Sequence, residues 1–266
     1  MENDTNRGLA VVTGASSGIG LELAQVFAEH RYDLVIAAED DAISEAAAAL
    51  RQEGVEVGVA QVDLATRAGV EELHEQVRAA GVAPSAVAIN AGVGVSGEFT
   101  GTALLDHLRL VELNVVGAVH LAHLVLPAMV DAGDGGLLFT SSVAATMPGP
   151  YMSTYNASKA FLLSFAEALR VELKDSGVTV TALMPGPTDT EFFERAGMED
   201  TKLGQTKKDD PAEVARDGFE ALMAGKDHVV AGSPKNRLQT AAGKVLPDKV
   251  AAAAHAPMSK PGSGKA

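Results

Sequence analysis

The sequence has no cysteine and no tryptophan in its 266 residues, and aromatic residues make up 4% of it. The absence of cysteine excludes disulfides, thiolate metal ligands and thiol nucleophiles. It also suits a reducing compartment, so we expect a cytoplasmic protein.

Positive charge is scarce as well, with 21 Lys and Arg against 35 Asp and Glu and a net charge of -14. Such a surface repels phosphate backbones and anionic lipids, so we expect neither nucleic acid nor membrane as a partner. No unbroken apolar run approaches the roughly 20 residues of a membrane span. Residues 1–8 are polar and lack the apolar core of a signal peptide.

Short apolar runs rich in β-branched residues alternate with longer amphipathic segments. Continuous apolar runs are typical of strands that are covered on both faces. The alternation predicts an α/β fold of three layers, a Rossmann-type doubly wound parallel sheet of about seven strands with helices on both faces. The predicted strands are 9–13, 34–38, 55–62, 87–89, 136–140, 178–184 and 227–231, and the predicted helices are 18–30, 43–53, 70–80, 104–131 and 155–175.

The pattern predicts one domain over residues 1–256. Residues 257–266 are rich in Pro, Gly, Ser and Lys, and we expect them to form a disordered tail. Residues 191–208 are polar and contain glycine, and they fit a mobile lid and an ordinary surface excursion equally well.

Tyr155 and Lys159 stand one helical turn apart, and residues at i and i+4 share a helix face. A cation beside a phenol favours the phenolate, so we expect the pKa of Tyr155 to fall below its usual value of about 10. That suits general acid/base catalysis on an alcohol or a carbonyl. Ser142, at the end of the preceding strand, adds a hydroxyl donor. Tyr-x-x-x-Lys alone occurs by chance on many helices, so its weight depends on its surroundings.

A glycine-rich turn, Thr13 to Gly20, joins the first strand to the first helix. Glycines let the backbone approach a pyrophosphate closely, and a helix N-terminus offers free N–H groups and partial positive charge. The spacing G-x-x-x-G-x-G differs from the commonest dinucleotide fingerprint. However, every candidate motif falls at the carboxyl end of a strand, where parallel sheets bind ligands. This shared position favours nucleotide binding over a purely structural turn.

Taken together, these residues resemble the short-chain dehydrogenase/reductase family over about residues 8–190. The resemblance rests on the glycine turn, Asn90-Ala91-Gly92, Asn114, Ser142, Tyr155-x-x-x-Lys159 and Pro185-Gly186, in the order and spacing of the family. It implies a nicotinamide cofactor, NAD or NADP. The residues implied to hold it are Gly14, Ser16, Ser17, Gly18, Ile19 and Gly20 at the pyrophosphate, Asp63 and Leu64 at the adenine, Asn90, Ala91 and Gly92 at the ribose, and Tyr155, Lys159, Pro185, Gly186, Thr188 and Thr190 at the nicotinamide end.

The residues after the second strand bear on the choice between NAD and NADP. An acidic side chain there accepts bonds from the free ribose hydroxyls and repels a 2′-phosphate. Ala38 is followed by Glu39-Asp40-Asp41. Among relatives, users of NADP usually carry arginine where Glu39 stands, and users of NAD usually carry aspartate where Ala38 stands. Three acids without a local basic residue favour NAD slightly, with Glu39 at the ribose.

The resemblance also implies the roles of the chemical groups. Tyr155 is the general acid/base, and Lys159 lowers its pKa and holds the nicotinamide ribose. Ser142 donates to the substrate oxygen and stabilises the developing alkoxide. Asn114 holds a water in a proton relay with Lys159. Because asparagine is a poor residue for a helix interior, we expect a local bend there.

The predicted reaction is reversible hydride transfer between the cofactor and an alcohol or ketone. Two alternatives stay open: a nicotinamide-binding regulatory or sensor protein with little turnover, and a non-redox lyase of the same fold, against which the glycine turn and Lys159 argue.

No metal site is expected, because His120 and His123 lack a third ligand nearby. Family members usually pair their two long helices, so we expect a homodimer or homotetramer. The candidate substrate pocket is apolar, has no obvious charged anchor and predicts an apolar substrate; it comprises Val93, Val95, Val143, Ala144, Tyr151, Pro187, Phe192 and Phe193.

Overall fold

The structure, a computed structural model, describes residues 7–245 and 247–264. Seven strands form one sheet in the order β3-β2-β1-β4-β5-β6-β7, and every neighbouring pair is parallel. The chain runs outward from β1 to β3 and then returns to place β4 on the other side of β1. The strands are β1 (Leu9–Thr13), β2 (Asp33–Ala38), β3 (Val57–Gln61), β4 (Pro84–Ile89), β5 (Gly135–Thr140), β6 (Val178–Pro185) and β7 (His228–Ala231).

Helices cover both faces of the sheet, as the alternating pattern predicts. Successive residues of one strand point to opposite faces, so Val11 and Val12 of β1 belong to different core clusters. The helices are α1 (Gly18–Glu29), α2 (Ala42–Leu50), α3 (Arg67–Ala79), α4 (Leu104–Val111), α5 (Ala118–Ala132), α6 (Ser153–Glu172), α7 (Phe192–Arg195), α8 (Pro211–Met223), α9 (Pro234–Val245) and α10 (Asp248–Ser259). One core cluster joins α1, α2 and α8 to the sheet, and the other joins α3, α5 and α6 to it. The predicted three-layer fold is confirmed.

The long predicted helix over 104–131 is continuous but not uniform. A π-helical segment, Glu112–Gly117, joins α4 to α5, and it contains the fully buried Asn114. The local distortion expected at this asparagine is therefore present. By length and composition, residues 104–132 form the one helical stretch in the described part of the chain that is able to cross a membrane. In this fold the stretch packs on α3, α6 and β4, the position of a core helix.

The end of the chain differs from the expected disordered tail over 257–266. Helix α10 continues through Pro257 to Ser259, and the following residues pack beside residues 200–203. The Leu203 N–H donates to the Met258 carbonyl at 2.9 Å, and the Gly264 N–H donates to the Asp200 carbonyl at 2.8 Å. These backbone bonds supply the partners that the composition of the tail does not reveal. Residues 265–266 lie outside the described part.

Candidate active site

A cavity of about 250 Å³ lies above the carboxyl ends of the strands. Every residue predicted to hold the cofactor lines it, as do Ser142, Tyr155 and Lys159. Of the predicted substrate residues, Val95 and Tyr151 do not line it: Val95 packs into an apolar cluster, and Tyr151 (φ 64°) forms a turn whose carbonyl accepts from the Gly97 N–H. The remaining six line the cavity: Val93, Val143, Ala144, Pro187, Phe192 and Phe193.

The glycine turn packs closely against itself and its neighbours at three positions where a side chain would not fit, Gly14, Gly18 and Gly20. Gly14 and Gly18 have φ of 67° and 56°, a region that favours glycine. A Cβ on Gly18 would lie 2.9 Å from Cγ2 of Thr190, and one on Gly20 would lie 1.9 Å from the Gly14 carbonyl oxygen. The first turn of α1 has no side-chain cap, and Ser17 precedes it in an extended conformation. This bare helix N-terminus fits the pyrophosphate of a dinucleotide.

Asn90 connects the ends of three strands below the glycine turn through hydrogen bonds. Its Nδ2 donates to the Thr13 carbonyl at 3.1 Å, and its Oδ1 accepts from the Thr140 hydroxyl at 3.0 Å. The Thr13 hydroxyl accepts from the backbone N–H groups of Asn90 and Ala91. Asn90 therefore connects β1, β4 and β5 at the crevice where the strand order reverses.

Ser142, Tyr155 and Lys159 converge at the other side of the crevice. Ser142 lies just beyond β5, and Tyr155 and Lys159 project from the first turns of α6, 9% and 4% exposed. The Lys159 Nζ donates to the Thr140 carbonyl at 2.8 Å and lies 5.8 Å from the centroid of the Tyr155 ring. The hydroxyl of neighbouring Ser141 is already engaged, since it donates to the Lys159 carbonyl at 2.7 Å.

The expected lowering of the Tyr155 pKa is wrong for this geometry. Burial raises the pKa of Tyr155 to about 12, and a hydrogen bond with Ser142 opposes that rise. Burial also lowers the pKa of Lys159 to about 8. Desolvation penalises both charged forms and here outweighs the attraction between ammonium and phenolate. At neutral pH the site therefore holds a neutral phenol beside an ammonium.

The lowered pKa of Lys159 predicts that the free energy of unfolding depends on pH, and a Lys159→Met variant should lose this dependence. The folded pKa of about 8 lies below the ordinary 10.5, so between these values the unfolded chain binds a proton that the folded chain has lost. The Lys159 contribution to stability therefore rises with pH across this window and falls as pH drops to about 8. Between pH 7 and 9.5 the wild type should gain on the order of 2 kcal/mol relative to the variant.

Urea unfolding of both proteins at the two pH values measures this difference. Lys174→Met is the matched control, because Lys174 is exposed and its side chain keeps 70% of its accessible surface. An unchanged gap between wild type and Lys159→Met across the two pH values would contradict a buried ammonium.

Asn114 lies behind the cavity and does not line it. Its Oδ1 accepts from the Val93 N–H at 2.9 Å, and its Nδ2 donates to the Val93 carbonyl at 3.0 Å and to the Ser158 hydroxyl at 3.1 Å. Both amide protons are thus used, and Oδ1 keeps one acceptor position. A Cβ on Gly92 would lie 3.1 Å from that oxygen and 3.3 Å from the Lys159 Nζ, so the two polar atoms border the same bare glycine.

Glu39 and Asp63 line one end of the cavity, here called the adenosine end, and they bind a cation that the sequence did not reveal. Arg109, on α4, places Nη1 2.5 Å from Oδ2 of Asp63 and Nη2 2.6 Å from Oε2 of Glu39. The hydrogen bond from Arg109 holds the pKa of Asp63 below its usual value. The premise that no basic residue stands near Glu39 is therefore wrong, because Arg109 is 70 residues away in sequence and adjacent in space.

The end of the cavity beside Tyr155, here called the substrate end, is enclosed by Phe192, which was predicted, and by residues that the sequence did not identify. Phe192 packs on Tyr155 with ring centroids 5.2 Å apart, and Met198 and Leu203 add apolar surface. The C-terminal helix contributes His255, whose Nδ1 lies 2.9 Å from the Ser259 hydroxyl and whose pKa is lowered by burial. The other additional lining residues are Ala38, Asp40, Val62, Gly94, Leu113, Thr140, Ser141, Met152, Asn156, Glu191 and Arg195.

Charge does reach this end, contrary to the expectation of no charged anchor. Glu191 and Arg195 line the cavity, and they pair with each other at 2.5 Å across one turn of α7.

Within the described residues, no group of three or more His, Asp or Glu is arranged to hold a metal ion. In the part of the chain that the structure describes, the cavity therefore has the glycine turn at one end and a largely apolar lining at the other. Ser142, Tyr155 and Lys159 lie between these two ends.

Comparisons with known proteins agree with this arrangement. The short chain dehydrogenase family model matches residues 8–200. A probable oxidoreductase, EphD, of Mycobacterium tuberculosis is 34% identical over 206 residues, which cover 76% of this chain and 34% of that protein. The chain thus spans about a third of the length of this relative.

Two solved structures share the fold. A short-chain dehydrogenase from Sphingobium yanoikuyae in complex with NADPH is 31% identical, with a TM-score of 0.78 over 84% of this chain and 87% of that one. A bulky-bulky ketone specific alcohol dehydrogenase from Comamonas testosteroni is 28% identical, with a TM-score of 0.75 over 85% and 86%. The fold, the motifs and the family match together show that this chain belongs to the short-chain dehydrogenase/reductase family of NAD(P)-dependent oxidoreductases.

Proposed function

We propose that the chain catalyses reversible hydride transfer between a nicotinamide cofactor, preferably NAD, and an apolar alcohol or ketone. The observation that carries this proposal is the convergence of Ser142, Tyr155 and Lys159 on the cavity that begins at the glycine turn. The residues fit the cofactor, because bare glycine positions and an uncapped helix N-terminus face the end where a pyrophosphate would lie. When bound, the nicotinamide supplies or accepts the hydride.

The protein's own part is to bind the substrate oxygen and to move a proton. In reduction, the Ser142 and Tyr155 hydroxyls hold the carbonyl oxygen, and Tyr155 donates its proton to the developing alkoxide. A pKa of about 12 keeps the phenol protonated at neutral pH, which is the form that reduction needs. Lys159, charged below about pH 8, stabilises the phenolate that remains. Asn114 is the proposed holder of a relay water that returns the proton.

The same pKa values oppose the reverse reaction at neutral pH. Oxidation of an alcohol requires Tyr155 to accept a proton, so it must first ionise, and burial penalises that ionisation. We therefore propose that oxidation becomes faster as pH rises, whereas reduction does not.

The lining of the substrate end supports an apolar substrate. Phe192, Phe193, Met198 and Leu203 surround the approach to Tyr155, and the Glu191–Arg195 pair neutralises its own charges. The ketone specificity of the similar alcohol dehydrogenase from Comamonas testosteroni is in keeping with such a substrate. His255 supplies a neutral hydrogen-bonding group among these apolar surfaces.

A panel of ketones, aldehydes, alcohols and small charged hydroxy acids, each tried with NADH or NADPH and with the matching oxidised cofactors, tests the proposal. Reduced-cofactor absorbance reports turnover. We expect NADH-dependent reduction of bulky apolar ketones. Cofactor binding without turnover of any member would favour the sensor alternative, and turnover of charged acids alone would contradict the apolar substrate.

We further propose a cytoplasmic homodimer or homotetramer that associates through α4, α5 and α6. Large apolar side chains are exposed on these helices, notably Leu104, Leu105, Phe161 and Val171. Such a surface is unusual on a monomer and fits the pairing of long helices. Multi-angle light scattering measures the assembly directly.

A further inference from the structure

Arg109 joins two carboxylates that the chain brings from different strand ends. Glu39 follows β2 and Asp63 follows β3, and Arg109 reaches both from α4 with separate nitrogens of one guanidinium. The Arg109 side chain is 39% exposed and does not itself line the cavity, whereas Glu39 and Asp63 do. The planar guanidinium fork fixes both carboxylates at once, which a lysine ammonium is poorly shaped to do.

The other acids at this end have neutral partners. Asp40 accepts from the Ser16 hydroxyl at 2.8 Å, and Asp41 accepts from the Gln61 amide at 2.7 Å. Four carboxylates therefore follow the ends of β2 and β3, and two of them bind the Arg109 guanidinium. A 2′-phosphate would bring about two further negative charges, which would have to displace an acid from Arg109.

Resting on the proposed function, we propose that Arg109 is the positioning residue for cofactor discrimination: it holds the Glu39 carboxylate where it accepts from the free ribose hydroxyls of NAD and repels the 2′-phosphate of NADP. Oε2 of Glu39 is bound to Arg109, which leaves Oε1 for the ribose. Asp63 is held from both sides, by Arg109 at Oδ2 and by the Ala65 N–H at Oδ1. The adenine contact is shared by both cofactors, so discrimination depends on the Glu39 half of this arrangement.

The test measures the Kd of NADH and of NADPH by cofactor fluorescence and calorimetry, without any substrate. The chain has no tryptophan, so the fluorescence carries no indole background. The variants are Arg109→Lys, which keeps the charge and loses the fork, Glu39→Gln, and the double variant. Arg67→Lys is the matched control, because Arg67 pairs with Glu71 on the exposed face of α3.

We expect wild type to prefer NADH by roughly tenfold or more, because an acidic ribose site excludes the phosphate. Arg109→Lys should weaken NADH binding roughly five- to tenfold, the size of one well-placed hydrogen bond to a charged group, and change NADPH binding about twofold or less. Glu39→Gln should also lower the ratio of the NADPH Kd to the NADH Kd toward one. Adding Arg109→Lys should not change that ratio further. Arg67→Lys should match wild type, and thermal melting confirms that each variant folds.

Three results would overturn the inference. If Arg109→Lys keeps the wild-type preference ratio, Arg109 is only a counter-ion. If wild type prefers NADPH and Arg109→Lys weakens NADPH binding selectively, Arg109 is a phosphate ligand. If wild type binds neither dinucleotide, the proposed hydride transfer itself fails. Either of the first two results leaves hydride transfer with a nicotinamide cofactor standing, and the second removes only the preference for NAD.

Discussion

A Tyr155→Phe variant should lose about a thousandfold in kcat for the carbonyl compound that wild type reduces best, the usual size of a general acid contribution. The substitution removes one hydroxyl from a ring that is 9% exposed and packed on Phe192, so the shape of the site is kept. The dinucleotide contacts at the glycine turn are untouched. The Kd of NADH should therefore change about twofold or less, within the range of a surface substitution.

Tyr151→Phe provides a matched control for this experiment. It removes the same hydroxyl from a nearby tyrosine that does not line the cavity. Its activity should stay close to wild type. Equal losses in the two variants would show that the phenol of Tyr155 has no special role, and wild-type activity in Tyr155→Phe would exclude it as the acid.

A Gly20→Ala variant should bind NADH more weakly by at least about tenfold and unfold about 3 kcal/mol more easily, the upper range of overpacking costs. The added Cβ would lie 1.9 Å from the Gly14 carbonyl oxygen and 2.6 Å from Nδ2 of Asn90. Alanine normally stabilises a helix relative to glycine by about 1 kcal/mol, so a loss of stability would have the opposite sign to helix propensity. The turn must shift to relieve the contact, and this moves the N–H groups that face the pyrophosphate.

The control for this variant is Gly101→Ala. Gly101 lies in a loop, and its added Cβ would stand 3.5 Å from the nearest atom outside its chain neighbours, an ordinary contact. Urea unfolding and NADH titration of both variants measure the two effects. If Gly20→Ala matches Gly101→Ala in both, the close approach at the glycine turn does not support the ligand.

The sheet and the placement of the candidate catalytic side chains were predictable because their signals are local. Strands buried on both faces leave continuous apolar runs, and the motifs follow directly at their ends. Even the distortion at Asn114 followed from the poor helix propensity of one residue. These features need only a few neighbouring residues to be recognised.

Other features depend on distant parts of the chain and were missed. Arg109 acts on Glu39 and Asp63, which precede it by 70 and 46 residues, and no local pattern marks such a pair. The direction of the Tyr155 pKa was wrong because i,i+4 spacing shows a neighbouring charge and does not show the depth of burial. The composition of residues 257–266 predicts a tail, because the partners that order this segment lie near residue 200.

The pairing of residues 200–203 with 258–264 has a consequence for protein engineering. The Leu203–Met258 and Gly264–Asp200 backbone bonds, together with the Ser263 hydroxyl that accepts from the Lys202 N–H, join two stretches of chain beside the substrate end, where Leu203 of the first stretch and His255, just before the second, line the cavity. A loop grafted from a relative into the first stretch would lose these partners unless the second stretch came with it. Attempts to redesign substrate range by exchanging segments should therefore transfer both stretches as one unit.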